Sequence, residues 1–391
     1  MKRKSKAVLK KSIGKRILKK KPARKKPSGK EAIKKNPETK ESAGKGRISK
    51  RRRRNRLIII IAAIIITATA ATLILLRNEI FRSIPGQITF TVAWNPGSIA
   101  DDIVRVFADE MDTHVSLINS PGANGTDGAN AVFGFERNGE NMLSTSLSAL
   151  VTAESTGFTE NSHKDWAAWL CAFSPAVVAV AHDSPYMTVD DLIATVRQSP
   201  GRMSCANSGF GTVSFVAAEL LSIRLFLEFD HLYYSGSTQA VNALLEGETD
   251  FAVLLSADIT GQLMSGQIRA IGSFGEVDYT LYNNDTAITV PSIAGLNERL
   301  DAVLPFGEYF GVFAPADTQS SSLRGLDSLV STAVESERFA EFIRNKGLMP
   351  VTPDRTGSVP VVNSFCSVVC WILYDAGFLP VNPEMFDIPR T

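Results

Sequence analysis

From residue 87 onward the chain alternates between two periods. Ile88, Phe90 and Val92 interleave with Gln87, Thr89 and Thr91, the pattern of a strand with one buried face. Trp94-Asn95-Pro96-Gly97-Ser98 follows, a turn by its Pro and Gly. Ile103, Val104, Phe107, Ala108 and Met111 then recur at helical spacing. Strand, small-residue loop and helix make a βα unit, and the succession repeats. Val115 to Asn119 reads as a strand, residues 121–128 as a Gly-rich loop, Ala129 to Phe135 as a short helix and Met142 to Ser146 as a strand. Ala176 to Ala181 is a buried strand, Val189 to Arg197 a helix and Met203 to Asn207 a strand. Ser208 to Ser214 is a second small-residue loop before the apolar helix Phe215 to Leu225. A strand at His231 to Tyr234, a loop at Ser235 to Thr238, a helix through Val241, Leu244 and Leu245, and a strand at Asp250 to Leu255 complete the series. Such alternation predicts an α/β protein with largely parallel sheets. About 300 residues exceed one core of that kind, so two lobes are expected.

Upstream the pattern is different. Leu57 to Leu76, LIIIIAAIIITATAATLILL, is 20 residues without a charge. As a helix it would span about 30 Å, the thickness of a bilayer's hydrocarbon core. Charge then changes the picture. The whole chain has 42 Lys+Arg and 40 Asp+Glu, but residues 1–56 hold 26 of the bases against only Glu31, Glu38 and Glu41. The tail is therefore +23 and the remaining 335 residues −21. Bases packed before an apolar helix place that end in the cytoplasm and the acidic folded part outside. The tail carries Pro22, Pro27 and Pro37 and no sustained periodicity, so it reads as a disordered topology signal that also touches anionic headgroups. A polycation can bind nucleic acid, but the tail has almost no aromatics to stack on bases, and no nucleic-acid partner is expected. Ile58 to Ile66 and Ala68-Thr69-Ala70 could also serve as the apolar region and cleavage site of a signal peptide. The long basic region and the renewed apolar run Leu73-Ile74-Leu75-Leu76 favour an uncleaved anchor in the lipid bilayer, with residues 77–86 as linker.

The loops supply the candidate chemistry. A helix that starts from a small-residue loop offers unpaired N–H groups and a partial positive charge, which binds anions without any basic side chain. Enzyme readings find no support. His114, His163, His182 and His231 fit no zinc spacing, and no nucleophile elbow, P-loop or H-E-x-x-H occurs. Gly209-x-Gly211 lacks the third Gly and the acidic partner of a dinucleotide site. No catalytic residue, metal or cofactor is expected. Cys171, Cys205, Cys366 and Cys370 read as buried free thiols. The last predicted helix, Pro360 to Ala376, lies in an uncharged run of 19 residues, Thr356 to Tyr374. Pro360 and Asn363 argue against a second membrane span, which leaves a helix buried on both sides or an interface with a partner.

Several segments resemble the substrate-binding receptors of tripartite tricarboxylate transporters. ITFTVAWNPGSIADDIVRVFADEM is similar to that family's first strand, binding loop and helix, with Gly97, Asp101 and Arg105 on the family's Gly, Asp and Arg. INSPGANGTDGANAV, HKDWAAWLCAFSPAVVAVAHDSP, SGFGTVSFVAAELL, YYSGSTQAVNALLEGETDFAV and FGVFAPADT follow in family order and spacing. The resemblance runs from about Gln87 to about Gly377. It implies a two-lobe periplasmic-binding-protein-like fold of type II, hinged by two crossing strands. Lobe one would be residues 87–182 plus 308–391 and lobe two residues 183–307. It also implies a small organic acid, a carboxylate, in the cleft, held mainly by backbone N–H groups and waters, and delivered to membrane permease subunits. On the matching positions the expected contacts are Trp94, Asn95, Gly97, Ser98 and Asp101 in the first loop, Gly211, Thr212 and Ser214 in the second, and Tyr234 and Gly236 in the third. Structural roles compete for some of these. Asp101 can complement a helix dipole, Thr212 and Ser214 can cap the following helix, and Trp94 can be a core aromatic. Arg105 and Asp250 read as structural. Where the family has a Gly-rich run this chain has Pro96-Gly97-Ser98-Ile99, Val213 and Phe215 replace polar groups, and Ser235 stands where a Lys is common. These departures weigh against an acidic dicarboxylate, and bulk from Ile99 or Phe215 could fill the cleft. An alternative role is a ligand-sensing receptor whose closed form is read by a membrane partner.

Overall fold

The computed structural model describes residues 57–73, 84–157, 159–283, 286–352 and 354–390, and of residues 283 and 286 the backbone only. The tail, residues 74–76 of the apolar segment and residues 77–83 of the linker lie outside the described residues. The chain divides into two compact units, residues 1–71 and 72–391. In the first, α1 (Leu57–Leu73) is an apolar helix. Its large side chains are exposed. The Thr67 hydroxyl donates to the carbonyls of Ala63 and Ile64, and that of Thr69 to Ile66. Those two polar side chains are therefore satisfied within the helix.

The second unit begins with β1 (Gln87–Val92), α2 (Ile99–Glu110), β2 (His114–Asn119), α3 (Thr126–Phe133), β3 (Asn141–Ser146) and α4 (Leu147–Thr156). The long strand β4 (Trp166–Ala181) leads into α5 (Val189–Gln198), β5 (Ser204–Asn207), α6 (Val213–Leu225), β6 (Asp230–Tyr233), α7 (Ser237–Leu245), β7 (Phe251–Leu255) and α8 (Ser256–Met264). Next come β8 (Ile268–Ser273), the hairpin β9 (Tyr279–Asn283) and β10 (Thr286–Val290), and the short α9 (Glu298–Asp301). The chain closes with β11 (Gly307–Pro315), α10 (Ser320–Val334), α11 (Glu337–Asn345), β12 (Met349–Pro350) and α12 (Arg355–Asp375).

One sheet carries the fold, in the order β2-β1-β3-β11-β4-β7-β5-β6, with β8 and β12 also paired to β4. β4 changes partners half-way. Residues Trp166 to Pro175 pair antiparallel with β11, whereas Ala176 to Ala181 pair antiparallel with β7 and β8. The chain returns beside this point, where the Ala176 N–H donates to Phe306 and the Phe306 N–H to Phe274. Direction now matters. β1 and β3 run antiparallel to β11, and so along β4, and their carboxyl ends point toward the changeover. β7 and β5 run against β4, so their carboxyl ends point back toward the same place. Ser146, the last residue of β3, lies level with Ala172 through Phe310, and Leu255, the last of β7, pairs with Ala176. The loops that follow these strands are thus gathered at the middle of β4, where ligands of open α/β sheets bind.

The apolar last helix is longer than its pattern suggested. It starts at Arg355 because the Asp354 side chain accepts from the Thr356 N–H, and Pro360 sits inside it rather than at its first turn. Expected within the first lobe, it packs on α4 and β4 and also on α6. Phe365, Val369 and Leu373 join Leu150 of α4 and Phe215 of α6 in one core. That accounts for the lack of charge without a membrane. All four cysteines are buried and free, with Cys366 and Cys370 Sγ atoms 3.8 Å apart.

The tightest constraint lies between β4 and β11. A Cβ on Gly307 would fall 2.2 Å from the Ser174 carbonyl oxygen, and one on Gly311 2.3 Å from that of Trp169. Backbone cannot yield as a flexible side chain can. Gly307→Ala and Gly311→Ala are each expected to lower stability by roughly 3 kcal/mol or more, read as a shifted midpoint in urea unfolding followed by tryptophan fluorescence.

Candidate functional site

A cavity of about 510 Å³ opens at the β4 changeover, between the loops that leave β1, β3, β5 and β7. Two helices from opposite halves of the sheet begin on it. Ser98 caps α2, its hydroxyl accepting from the Asp101 N–H at 3.3 Å. Thr212 caps α6, accepting from the Phe215 N–H at 3.2 Å. The next amides, Ile99 and Ala100 on α2 and Val213 and Ser214 on α6, all belong to residues that line the cavity. No backbone or side-chain acceptor among the described residues meets these four N–H groups. They are the orphan donors of a helix start, at the positive end of its dipole.

The predicted site residues divide. Trp94, Gly97, Ser98, Gly211, Thr212 and Ser214 line the cavity, and Asn95, Asp101, Tyr234 and Gly236 do not. Trp94 is a wall, its Nε1 donating to Thr145 at 3.1 Å. Asp101 is buried behind the first loop. It accepts from the Gly97 N–H at 2.9 Å, from Asn119 at 3.0 Å and from the Arg105 Nε at 2.7 Å. Burial works to raise its carboxyl, but the Arg105, Gly97 and Asn119 donors outweigh that and hold it below the usual range. Asp101 therefore shapes the loop that presents the α2 amides. The hydroxyls of the second loop are likewise spent inside the protein. Thr212 donates to the Gly209 carbonyl at 2.7 Å, and Ser214 to that of Val253 at 2.6 Å. Gly236 supports that loop from outside, its N–H donating to Ser208 at 3.1 Å, and the Tyr234 N–H bonds Asn207. Asn95 is exposed and only its carbonyl is engaged, by the Ser98 N–H. Ile99 lies on the cavity wall without closing it, and Phe215 is buried under Phe210 and Tyr233, away from the space.

The comparisons with known proteins agree with this geometry. The family described as tripartite tricarboxylate transporter family receptor matches residues 104–363. The chain belongs to that receptor family. It is accordingly a solute-binding protein and not an enzyme. A protein of Pseudomonas sp. (strain P51), the UPF0065 protein in the tcbD-tcbE intergenic region, is 27% identical over 281 residues, which are 70% of this chain and 80% of that one. The fold matches a TctC solute binding protein from Polaromonas, solved without ligand, at a TM-score of 0.64 and 18% identity over 74% of this chain and 98% of the other. It also matches R. palustris Rpa4515, solved with adipate, at a TM-score of 0.55 and 19% identity over 75% of this chain and 98% of the other.

The receptor's cavity holds two acids that the sequence reading missed. Glu308 opens β11 opposite Ser174 at the changeover, and it is 5% exposed. Its carboxylate accepts from the Ser148 N–H at 3.0 Å and from the Ser148 hydroxyl, so it occupies the start of α4. Burial, against those bonds and with Asp258 adding repulsion, pushes its carboxyl up to about 7. Asp258 lies in the first turn of α8, exposed on the cavity wall. Burial raises its carboxyl too, against a hydrogen bond from Ser237. One signal was available: an acid at the start of the otherwise apolar strand GEYFGVFAP is a buried charge in need of a partner. Asn124 and Ser208, from the small-residue loops, complete the polar lining with Ser146, Ser148 and Thr152, which carried no motif.

Glu308 has a folded value of about 7 against 4.5 for a free Glu. Its contribution is then fully present below pH 4.5 and lost as pH rises through 7. Melting curves of the unliganded chain are expected to show stability falling across that window, by an amount of order 3 kcal/mol at most. Glu308→Gln should flatten this dependence, and an unchanged slope would contradict the assignment.

Proposed function

We propose that this receptor captures a small organic acid in the cavity at the β4 changeover and hands it to the membrane permease subunits of a tripartite tricarboxylate-type transporter. The observation that carries the reading is the set of four unpartnered amides of Ile99, Ala100, Val213 and Ser214, contributed by two helices on opposite sides of one space. A carboxylate seated there takes hydrogen bonds from both halves of the sheet at once. Its binding therefore draws the halves, acting as lobes 87–182 plus 308–391 and 183–307, together around it. The closed form is what a permease would read. Backbone donors also suit delivery, because they hold the anion without a salt bridge that would slow its release.

Residues 57–76 would keep the receptor at the membrane, with the basic tail in the cytoplasm and the binding unit outside. α1, with Thr67 and Thr69 satisfied within the helix, supports that role. The apolar last helix does not argue for a signalling partner, because the core consumes it.

Isothermal titration calorimetry of the purified full chain with mono-, di- and tricarboxylates tests the reading. At least one acid should bind with micromolar or tighter affinity. Gly211→Val should weaken that binding at least tenfold. Gly211 has φ +88, and a side chain there meets the Phe378 ring at 2.4 Å, so the loop that presents the α6 amides must shift. Absence of heat with every acid would remove the support for transport of carboxylates.

A further inference from the structure

Four helices begin on the cavity, and they are not alike. α2 and α6 present open amides, as described above. At the other two starts an acid of the chain lines the cavity. Glu308 holds the Ser148 amide and hydroxyl at the start of α4. Asp258 sits in the first turn of α8, and both acids line the cavity. The space is therefore of mixed polarity: α2 and α6 bring open amides and partial positive charge, and two carboxylates lie at the starts of α4 and α8. Among the described residues no Lys or Arg side chain lines it.

That polarity restricts what fits. A dicarboxylate whose second charge reached Glu308 and Asp258 would meet like charge in a partly desolvated space, which costs affinity. A neutral tail would leave the two acids with only Ser148 and Ser237 to offset their charge. An ammonium satisfies both, because it supplies three donors and a positive charge where acceptors are concentrated.

We propose that the ligand is an amino acid in the broad sense, a carboxylate held by the amides of α2 and α6 whose other end is an ammonium held by Glu308 and Asp258. The inference rests on the carboxylate reading given above and narrows it. The raised carboxyl of Glu308 gives it a second signature. A cation placed beside it stabilises its charged form, so binding near neutral pH should release protons.

Matched pairs isolate the ammonium end. Succinate and 3-aminopropanoate differ only in one carboxylate or ammonium terminus, as do glutarate and 4-aminobutanoate, and adipate and 5-aminopentanoate. Calorimetry of the full chain with each pair is expected to favour the amino member at least tenfold in one pair or more. The heat of that binding should depend on the buffer's ionisation enthalpy in the sense of proton release. Glu308→Gln and Asp258→Asn should each reduce the preference severalfold, and Glu308→Gln should abolish the buffer dependence. Because Glu308 also caps α4, melting curves check that its variant folds, and Asp258→Asn, which leaves that cap intact, carries the test if it does not. If diacids bind as well as or better than their amino partners, or if the preference survives both substitutions, the ammonium site is wrong while the carboxylate reading stands. If no member of any pair binds while another carboxylate does, the ammonium site falls and the carboxylate reading stands; if no acid binds at all, both fall.

Discussion

The pairing of β4 with β11 fixes everything else in the binding unit. β4 is 16 residues long and serves two sets of partners in turn, with the exchange at Pro175 and Ala176. Because β1 and β3 run with it and β5 and β7 against it, strands from the two halves end facing each other. Helices that follow strands in α/β units start at the strands' carboxyl ends. Their N-termini are consequently collected at one place, and a polar cavity arises from strand direction before any side chain is chosen. The close approach at Gly307 and Gly311 is what lets β11 lie against β4 so tightly, and it brings Glu308 to the cavity.

Electrostatics then differentiates the helix starts. Each has orphan N–H groups that must be satisfied by caps, water or a ligand. Ser98 and Thr212 satisfy one donor apiece and leave the first two amides of each helix open. At α4 the protein fills the position itself with Glu308, a buried acid whose desolvation the Ser148 bonds offset only in part. The binding surface is thus composed mainly of backbone donors and fixed carboxylates, held in place by groups such as Asp101 that never reach the cavity. Arg105 and Asn119 tie Asp101 to α2 and β2, so the first loop inherits the rigidity of the sheet.

α12 gives the unit an uncommon degree of continuity. By packing on α4 and on α6 it joins the two halves in one apolar core, beside a separate core in each half. Phe378, just beyond it, lies 5.4 Å from Phe210 and presses on Gly211 in the second loop. Phe378 thus couples the end of α12 to the second loop. A shared, well-packed core resists continuous deformation and favours two discrete arrangements.

Much of this was legible along the chain. The βα units from Gln87 to Leu255, the two small-residue loops and the anion-ready helix starts were readable because period and loop composition are local properties. So were the apolar stretch from Leu57 and the charge split on either side of it. Trp94, Gly97, Ser98, Gly211, Thr212 and Ser214 could be named because each lies in such a loop. What the chain alone could not decide was which way each side chain would be spent. Asp101, Thr212 and Ser214 had two plausible partners apiece, and only the packed neighbours, Gly97, Gly209 and Val253, select one. Glu308 and Asp258 belong to distant stretches and become neighbours of the same space only when β11 and β7 flank β4. The two acids, the amides they oppose and the double-sided burial of α12 come from contacts between residues far apart in sequence, and no local pattern encodes those.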